Sequence, residues 1–155
     1  MCGVRRALAQ AIDVDAIIEA VTFGYGTPAN SYVPGGGMYY NPDNPRWGYD
    51  PEAAKELLAE AGVDDLSLDF VVQAGDANYE QVAVLVQDQL KAVGVDVNIV
   101  KQEVGQTWDT IVAGEYDLST NYWTNDVIDP DQKTGFALYG ADADVLSYLH
   151  ALQQP

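Results

Sequence analysis

The order of periodicities along the chain predicts an α/β fold: a layered domain with a mixed, partly parallel sheet flanked by helices. Three observations carry this. Two short stretches, 66–73 and 95–101, alternate apolar and polar residues; a helical stripe lies between them; and a second helix and strand, 107–115 and 116–123, follow. A strand, a helix and a strand in that order form a crossover that joins parallel neighbours, and repeating it selects the α/β class. At 155 residues the chain is long enough for one domain with its own core, so 1–155 is expected to be a single domain.

The elements follow in order. In "VRRALAQAIDVDAIIEAVT", residues 4–22, Val4, Leu8, Ala11 and Ile12 recur at helical spacing, and Ile17, Ile18 and Val21 do so again beyond Asp13 and Asp15. Apolar residues three and four apart share a helix face, so two helical pieces are expected, jointed where an Asp caps the second. Residues 24–49 are rich in Gly and hold four of the seven Pro, a composition that predicts a long surface loop held to the domain by its aromatic residues. In "DPEAAKELLAEAG" Asp50 is the N-cap, Pro51 the first helical residue and Gly62 the stop, with Ala54, Leu57, Leu58 and Ala61 as the buried stripe.

Strand periodicity comes next: Leu66, Leu68, Phe70 and Val72 alternate with Ser67, Asp69 and Val71. A helix over 78–94 places Val82, Leu85, Val86, Leu90 and Val93 on one side and closes at Gly94, after which 95–101 alternates again. No internal repeat or low-complexity tract interrupts the pattern.

Charge excludes whole classes of function. The formal charge is -17, from 24 acidic and 7 basic residues. Binding nucleic acid through its phosphates needs clustered Lys and Arg that displace counterions, so no nucleic-acid partner is expected, and the same field repels an anionic membrane. No acidic run exceeds two residues; charge spread this evenly describes a solvated surface and is halophile-like, the composition that adaptation to high salt produces. Cys2 is the only cysteine, so no internal disulfide or thiolate cluster can form. "MCGVRRALAQ" lacks the apolar stretch of a signal peptide, and no targeting signal is expected within the chain.

The densest cluster of chemistry-bearing residues is "NYWTNDVIDPDQ", 121–132, which sets Trp123, Asp126, Asp129 and Asp131 around Pro130. A calcium loop counted from Asp129 needs an acid or amide at Lys133, Gly at Thr134 and a bidentate acid at Gly140; all three fail, and no metal is assigned. Paired carboxylates suited to glycoside hydrolysis carry no signal in so acidic a chain. His150, the only histidine, is remote from any nucleophile motif. No catalytic residue is assigned and the chain is not expected to be an enzyme.

"GYGTPA", 24–29, follows a helix where a dinucleotide motif must follow a strand, and "PGGGM", 34–38, lacks the Lys-Ser or Lys-Thr of a phosphate loop, so no cofactor is expected. Spacing alone leaves two readings of 121–132: a structural Asp-Pro turn, or a clamp in which a carboxylate meets a ligand ammonium beside an aromatic wall. In open α/β sheets ligands lie beyond the carboxyl ends of the strands. The stretch begins at that end of the third strand and "QAGDAN", 73–78, at that end of the first, so both loops are expected on one edge.

"VRRALAQAID" with "DAIIEAV", then "YDPEAAKELLAEAG", "QLKAVGVDVNI", "YDL" and "YWTNDVIDPD" occur here in sequence. Over residues 4–140 this order resembles the peptide, dipeptide and nickel family of solute-binding proteins that serve ABC transporters; 141–155 fall outside the resemblance. The resemblance implies a two-lobed clamp, of which these residues are equivalent to lobe II, with the first lobe missing and the chain a fragment of a larger receptor. It implies transport: a lobe of an extracytoplasmic, periplasmic or cell-surface receptor that delivers peptides or similar amine-bearing solutes to the permease subunits of an ABC importer. The alternatives are a truncated structural or interaction remnant of such a receptor that folds but binds nothing tightly, and, last in order, a carboxylate-dependent hydrolase.

Carried over residue by residue, the resemblance gives Asp126 the ligand's ammonium and makes Trp123 a wall, and the ligand-binding set becomes Tyr122, Trp123, Asn125, Asp126, Gln73 and Asp76. Asp129 and Pro130 shape the turn, and Asp131 has no role. Dipeptide receptors are similar in holding an Arg for the ligand carboxylate near the start of the helix after the first strand. This chain offers Asp76, Asn78, Glu80 and Gln81 there, which argues against a free dipeptide carboxylate at this site and leaves longer peptides, amines or sugars open.

Overall fold

The computed structural model describes residues 2–31, 33, 35–37, 39–44, 46–63 and 65–120. The elements are α1 (Cys2–Ala11), α2 (Val14–Thr22), α3 (Pro51–Glu60), β1 (Ser67–Gln73), α4 (Ala77–Lys91), β2 (Asp96–Gln102), α5 (Val104–Ala113) and β3 (Leu118–Ser119). Three of the five helices start on an aspartate whose carboxylate takes otherwise unpaired N–H groups. Asp13 accepts from Ala16, Asp50 from Ala53, and Asp76 from both Asn78 and Tyr79. The joint between α1 and α2 therefore falls at Asp13, as the spacing predicts, and the Asp13 N–H reaches Gln89 Oε1 at 2.9 Å to tie it to α4.

Helix ends are equally local. The N–H groups of Val63, Val95 and Glu115 reach back to the carbonyls of Leu58, Leu90 and Thr110 at 3.3, 3.0 and 3.1 Å. Gly62, Gly94 and Gly114 turn the chain at φ +64, +87 and +70, a left-handed conformation that costs glycine nothing. The stop falls earlier than the apolar stripe at α3: Ala61, expected in the buried set, is exposed because the helix has closed at Glu60 and Ala61 belongs to the cap.

The described sheet has the order β2-β1-β3, and both pairings are parallel. Register runs from Ser67 opposite Asp96 to Gln73 opposite Gln102, while Phe70 and Val71 face Leu118 and Ser119. The third strand is thus two residues long within the expected 116–123, and 121–123 lie outside the described residues.

On one face Phe70, Val72 and Val97 join Ala83, Val86 and Leu90 of α4, Val93, Val95, and Ala7, Ala11, Ala54 and Leu58 of α1 and α3. Val71 points the other way; it is buried, as are Ile111 and Thr107 of α5, which packs against β1. Alternation had grouped Val71 with Ser67 and Asp69, but a central parallel strand is covered on both faces and becomes apolar on both.

Across 24–49 the described residues form no helix or strand. Four of the described aromatic residues do not hold the loop down: Tyr25 is 92% exposed and Tyr39 76%, and Trp47 and Tyr49 are exposed too, while Tyr40 is half-buried. Backbone carbonyls need partners, and short amides supply them. Asn30 Nδ2 donates to the carbonyls of Asn41 and Pro42, Asn44 Nδ2 donates to that of Asn30, and the Asp50 N–H reaches Gln10 O at 2.8 Å. Among the described residues of the loop, Val33 is buried.

Leu90 is fully buried between α4 and the sheet, so Leu90→Ala should cost about 3 kcal/mol through lost contact and a residual cavity, read from urea unfolding. Ion pairs join Arg46 with Asp15, Lys55 with Glu52 and Lys101 with Glu80, but 7 basic residues against 24 acidic ones leave the whole net charge of -17 uncompensated. Screening shortens the Debye length from roughly 10 Å at 0.1 M salt to 3 Å at 1 M. The urea midpoint should therefore rise over that range of NaCl; an unchanged midpoint would show that self-repulsion is not a significant cost.

Candidate functional site

Parallel pairing on both sides of β1 brings the carboxyl ends of all three strands to one edge. There Ala74 extends the ladder by one bond, its N–H donating to Gln102 O at 2.8 Å. Gly75 then turns the chain at φ +83, and Asp76 opens α4. From the other side the Thr120 N–H meets Val71 O at 3.4 Å, so the chain leaves β3 at this same edge. Helix α5 also begins here, on Glu103, whose side chain makes no capping bond. The Thr107 hydroxyl bonds to the carbonyls of Gln102 and Glu103 at 3.2 and 3.1 Å. Gln102 Oε1 and Thr120 Oγ1 are buried with no hydrogen-bond partner among the described residues.

Charge at the edge is concentrated in one contact. Glu80, in the first turn of α4, accepts from the Gly75 N–H with Oε1 at 3.0 Å and meets Lys101 Nζ with Oε2 at 2.7 Å. The hydrogen bond from Lys101 and that from Gly75 hold its carboxyl below the ordinary 4.5, with the lysine's charge adding to them and burial opposing.

Of the residues assigned from sequence, Gln73 and Asp76 lie on this edge, three residues apart across the β1–α4 turn. The structure gives Asp76 a second occupation, since Oδ1 takes two helix N–H groups at 3.0 Å each. Tyr122, Trp123, Asn125, Asp126, Asp129 and Pro130 lie outside the described residues. Lys101 is the residue that sequence reasoning missed. The start of α4 looks devoid of basic residues along the chain, yet parallel register sets Lys101 opposite Val72, one step from the strand end and within reach of Glu80. A register drawn before charges were assigned would have found it.

Among the described residues no group of three or more His, Cys, Asp or Glu is arranged to hold a metal ion. A groove of about 240 Å³, lined by Lys55, Leu58, Val63, Asp65, Leu66 and Val95 among others, opens where the strands begin, at the opposite end of the sheet.

An open parallel sheet with its variable loops at one edge is an architecture that holds ligands there. The chain belongs to the bacterial extracellular solute-binding proteins, family 5, whose middle region matches residues 3–144. It is 38% identical to the dipeptide-binding protein of Escherichia coli K12 over 133 residues, 83% of this chain and 25% of that one. It is equally 38% identical to heme-binding protein A of Haemophilus influenzae over 133 residues, 83% of this chain and 24% of that one.

Among solved structures, it superposes on an ABC transporter-associated periplasmic binding protein, DppA from Helicobacter pylori, in complex with the peptide STSA. The TM-score is 0.76 with 28% identity, over 84% of this chain and 25% of that one. All three are named for binding and none for a reaction. The chain spans about a quarter of the length of the curated relatives it matches.

If the Asp76 carboxylate serves as a helix cap, Asp76→Ala should cost about 1 kcal/mol of stability and Asp76→Asn only a few tenths, measured by urea unfolding. Equal stability of Asp76→Ala and the wild type would instead free this carboxylate from a structural role.

Proposed function

We propose that the chain is the ligand-binding second lobe of an extracytoplasmic receptor that hands peptides, or similar amine-bearing solutes, to an ABC importer. Its carboxyl edge then forms one wall of the solute site, a first lobe the other, and the permease subunits are its partners through the complete receptor. The observation that supports this reading above the rest is the course of the chain: the parallel sheet directs the polypeptide at Thr120 to the ligand-facing edge, and "WTNDVIDPD" begins three residues later. Asp126 would pair with the solute ammonium, a charge-assisted contact, against Trp123. Tyr122, Asn125 and Gln73 would complete the wall, and Asp129 with Pro130 would set the turn.

Relatives of equal identity bind dipeptide and heme by name, so identity alone does not choose the solute. The amine reading rests on the resemblance that carries the ammonium role to Asp126, with Trp123 beside it.

One wall leaves a solute largely hydrated, and enclosure contributes much of the affinity at such sites. Trialanine should bind the 155-residue chain more weakly than about 1 μM, detected by NMR titration. N-acetyl-trialanine, which has no ammonium, and the Asp126→Ala chain should each lose at least about tenfold, the cost of one charge-assisted bond. Equal binding of the acetylated peptide would remove the ammonium role, and submicromolar binding would remove the one-wall reading.

A further inference from the structure

Glu80 makes contacts that its helix does not require. Its side chain is 31% exposed, and its two oxygens reach two different elements: the Gly75 N–H in the β1–α4 turn and Lys101 at the end of β2. Only Ala74, Gly75 and Asp76 separate β1 from α4. Ala74 is already fixed by Gln102 O, and Asp76 by its cap. Gly75 is the flexible joint between them, because glycine at φ +83 has no side chain to restrict it and more backbone freedom than any other residue.

We propose that Glu80 and Lys101 are positioning residues: their paired charges clip the β1–α4 turn to the end of β2 and so preset Gln73 and Asp76 at the carboxyl edge for the solute. This rests on the reading of that edge as solute-facing. An exposed ion pair alone is worth little, but here the same carboxylate also holds a glycine N–H. Releasing the lysine therefore loosens the one joint of the turn that nothing else restrains. Among the described residues, the other titratable groups at this end of the sheet are Asp76, on the cap of Glu80's own helix, and Glu103, one residue beyond β2. Neither supplies positive charge, so Lys101 is the cation of the clip.

The clip can be tested on the 155-residue chain without any solute, by amide hydrogen exchange and by the Gly75 amide shift. Glu80→Ala and Lys101→Met should each speed exchange at Gly75 by about tenfold while Val72 and Val97 in the core ladder are unchanged, as local opening requires. Lys101→Arg should restore it. Glu80 is depressed in the folded chain, so the clip is complete above the ordinary glutamate value and is lost as pH falls through the lower folded value. The Gly75 shift should therefore inflect below pH 4.5 in the wild type and at higher pH in Lys101→Met.

Unchanged Gly75 exchange in both variants, equal acceleration at Val72 and Val97, or an unmoved inflection in Lys101→Met would each overturn the clip. Its positioning role predicts at least about threefold weaker trialanine binding in Lys101→Met and near-normal binding in Lys101→Arg, through lost preorganisation; equal affinity of wild type and Lys101→Met would overturn it. A wild-type chain that does not respond to trialanine at all would overturn the peptide reading instead, and the exchange data would still decide the clip.

Discussion

The parallel pairing of β1 on both of its edges is the constraint from which the rest of the molecule follows. With β2 on one side and β3 on the other, each connection has to cross a face of the sheet, and right-handed crossovers that run in opposite directions, from β1 out to β2 and from β2 back past β1 to β3, fall on opposite faces. Helix α4 covers Phe70 and Val72, and α5 covers Val71. All three residues are then withdrawn from water, which gives the short sheet an apolar centre. The same geometry sends every strand's carboxyl end one way. An edge that carries all three strand ends is thus a by-product of topology, and on the proposed function it is the edge that faces the solute.

Acidic residues serve the fold and strain it at once. Asp13, Asp50 and Asp76 each supply the oxygen that a helix start needs, and negative charge at a helix N-terminus is favourable in its own right. Glu80 adds a fourth local use, taking a backbone N–H and an ammonium together. Most of the remaining carboxylates have no cation within reach, because 7 basic residues cannot answer 24 acidic ones. The chain's acidity is therefore divided. A few carboxylates hold specific N–H groups over one turn of helix, where salt matters little, and the others repel one another across solvent, where salt matters most.

What could be read from the sequence was what local rules govern. Asp50, Pro51 and Gly62 bracket α3; Asp13 marks the joint between α1 and α2; Gly94 ends the α4 region; and the two alternating stretches are β1, which starts one residue later than expected, and β2, which is displaced by one residue. What escaped depended on partners distant in the chain. Val71 looks like a solvent-facing member of an alternating strand until α5 is placed over it. The exposed Tyr25, Tyr39, Trp47 and Tyr49 look like anchors until Asn30, Asn44 and Asp50 are seen to hold the loop by hydrogen bonds. Lys101 is 21 residues from Glu80, a separation no helical or strand spacing connects. At the site, Gln73 and Asp76 were found on the expected edge, but the cap that occupies Asp76 was not foreseen, although an Asp three residues before Tyr79 at a strand-to-helix turn is itself a capping signal.

The equal identity to dipeptide-binding and heme-binding relatives bears on where solute choice resides in the proposed receptor. Dipeptide and heme share neither size nor charge pattern, so equal identity to both reports a common scaffold and not a common solute. Several polar groups at the carboxyl edge belong to that scaffold. Asp76 Oδ1 caps α4, Glu80 and Lys101 hold each other, and Thr107 bonds the carbonyls of Gln102 and Glu103. Gln102 Oε1 and Thr120 Oγ1, by contrast, are buried without a partner among the described residues, and a buried polar atom left without a partner is costly. On the proposed function, discrimination falls to Gln73 and to the residues that follow Thr120. That division suits a family whose members are named for different solutes, because the residues after Thr120 can change while the pairing of β3 with β1 remains the same.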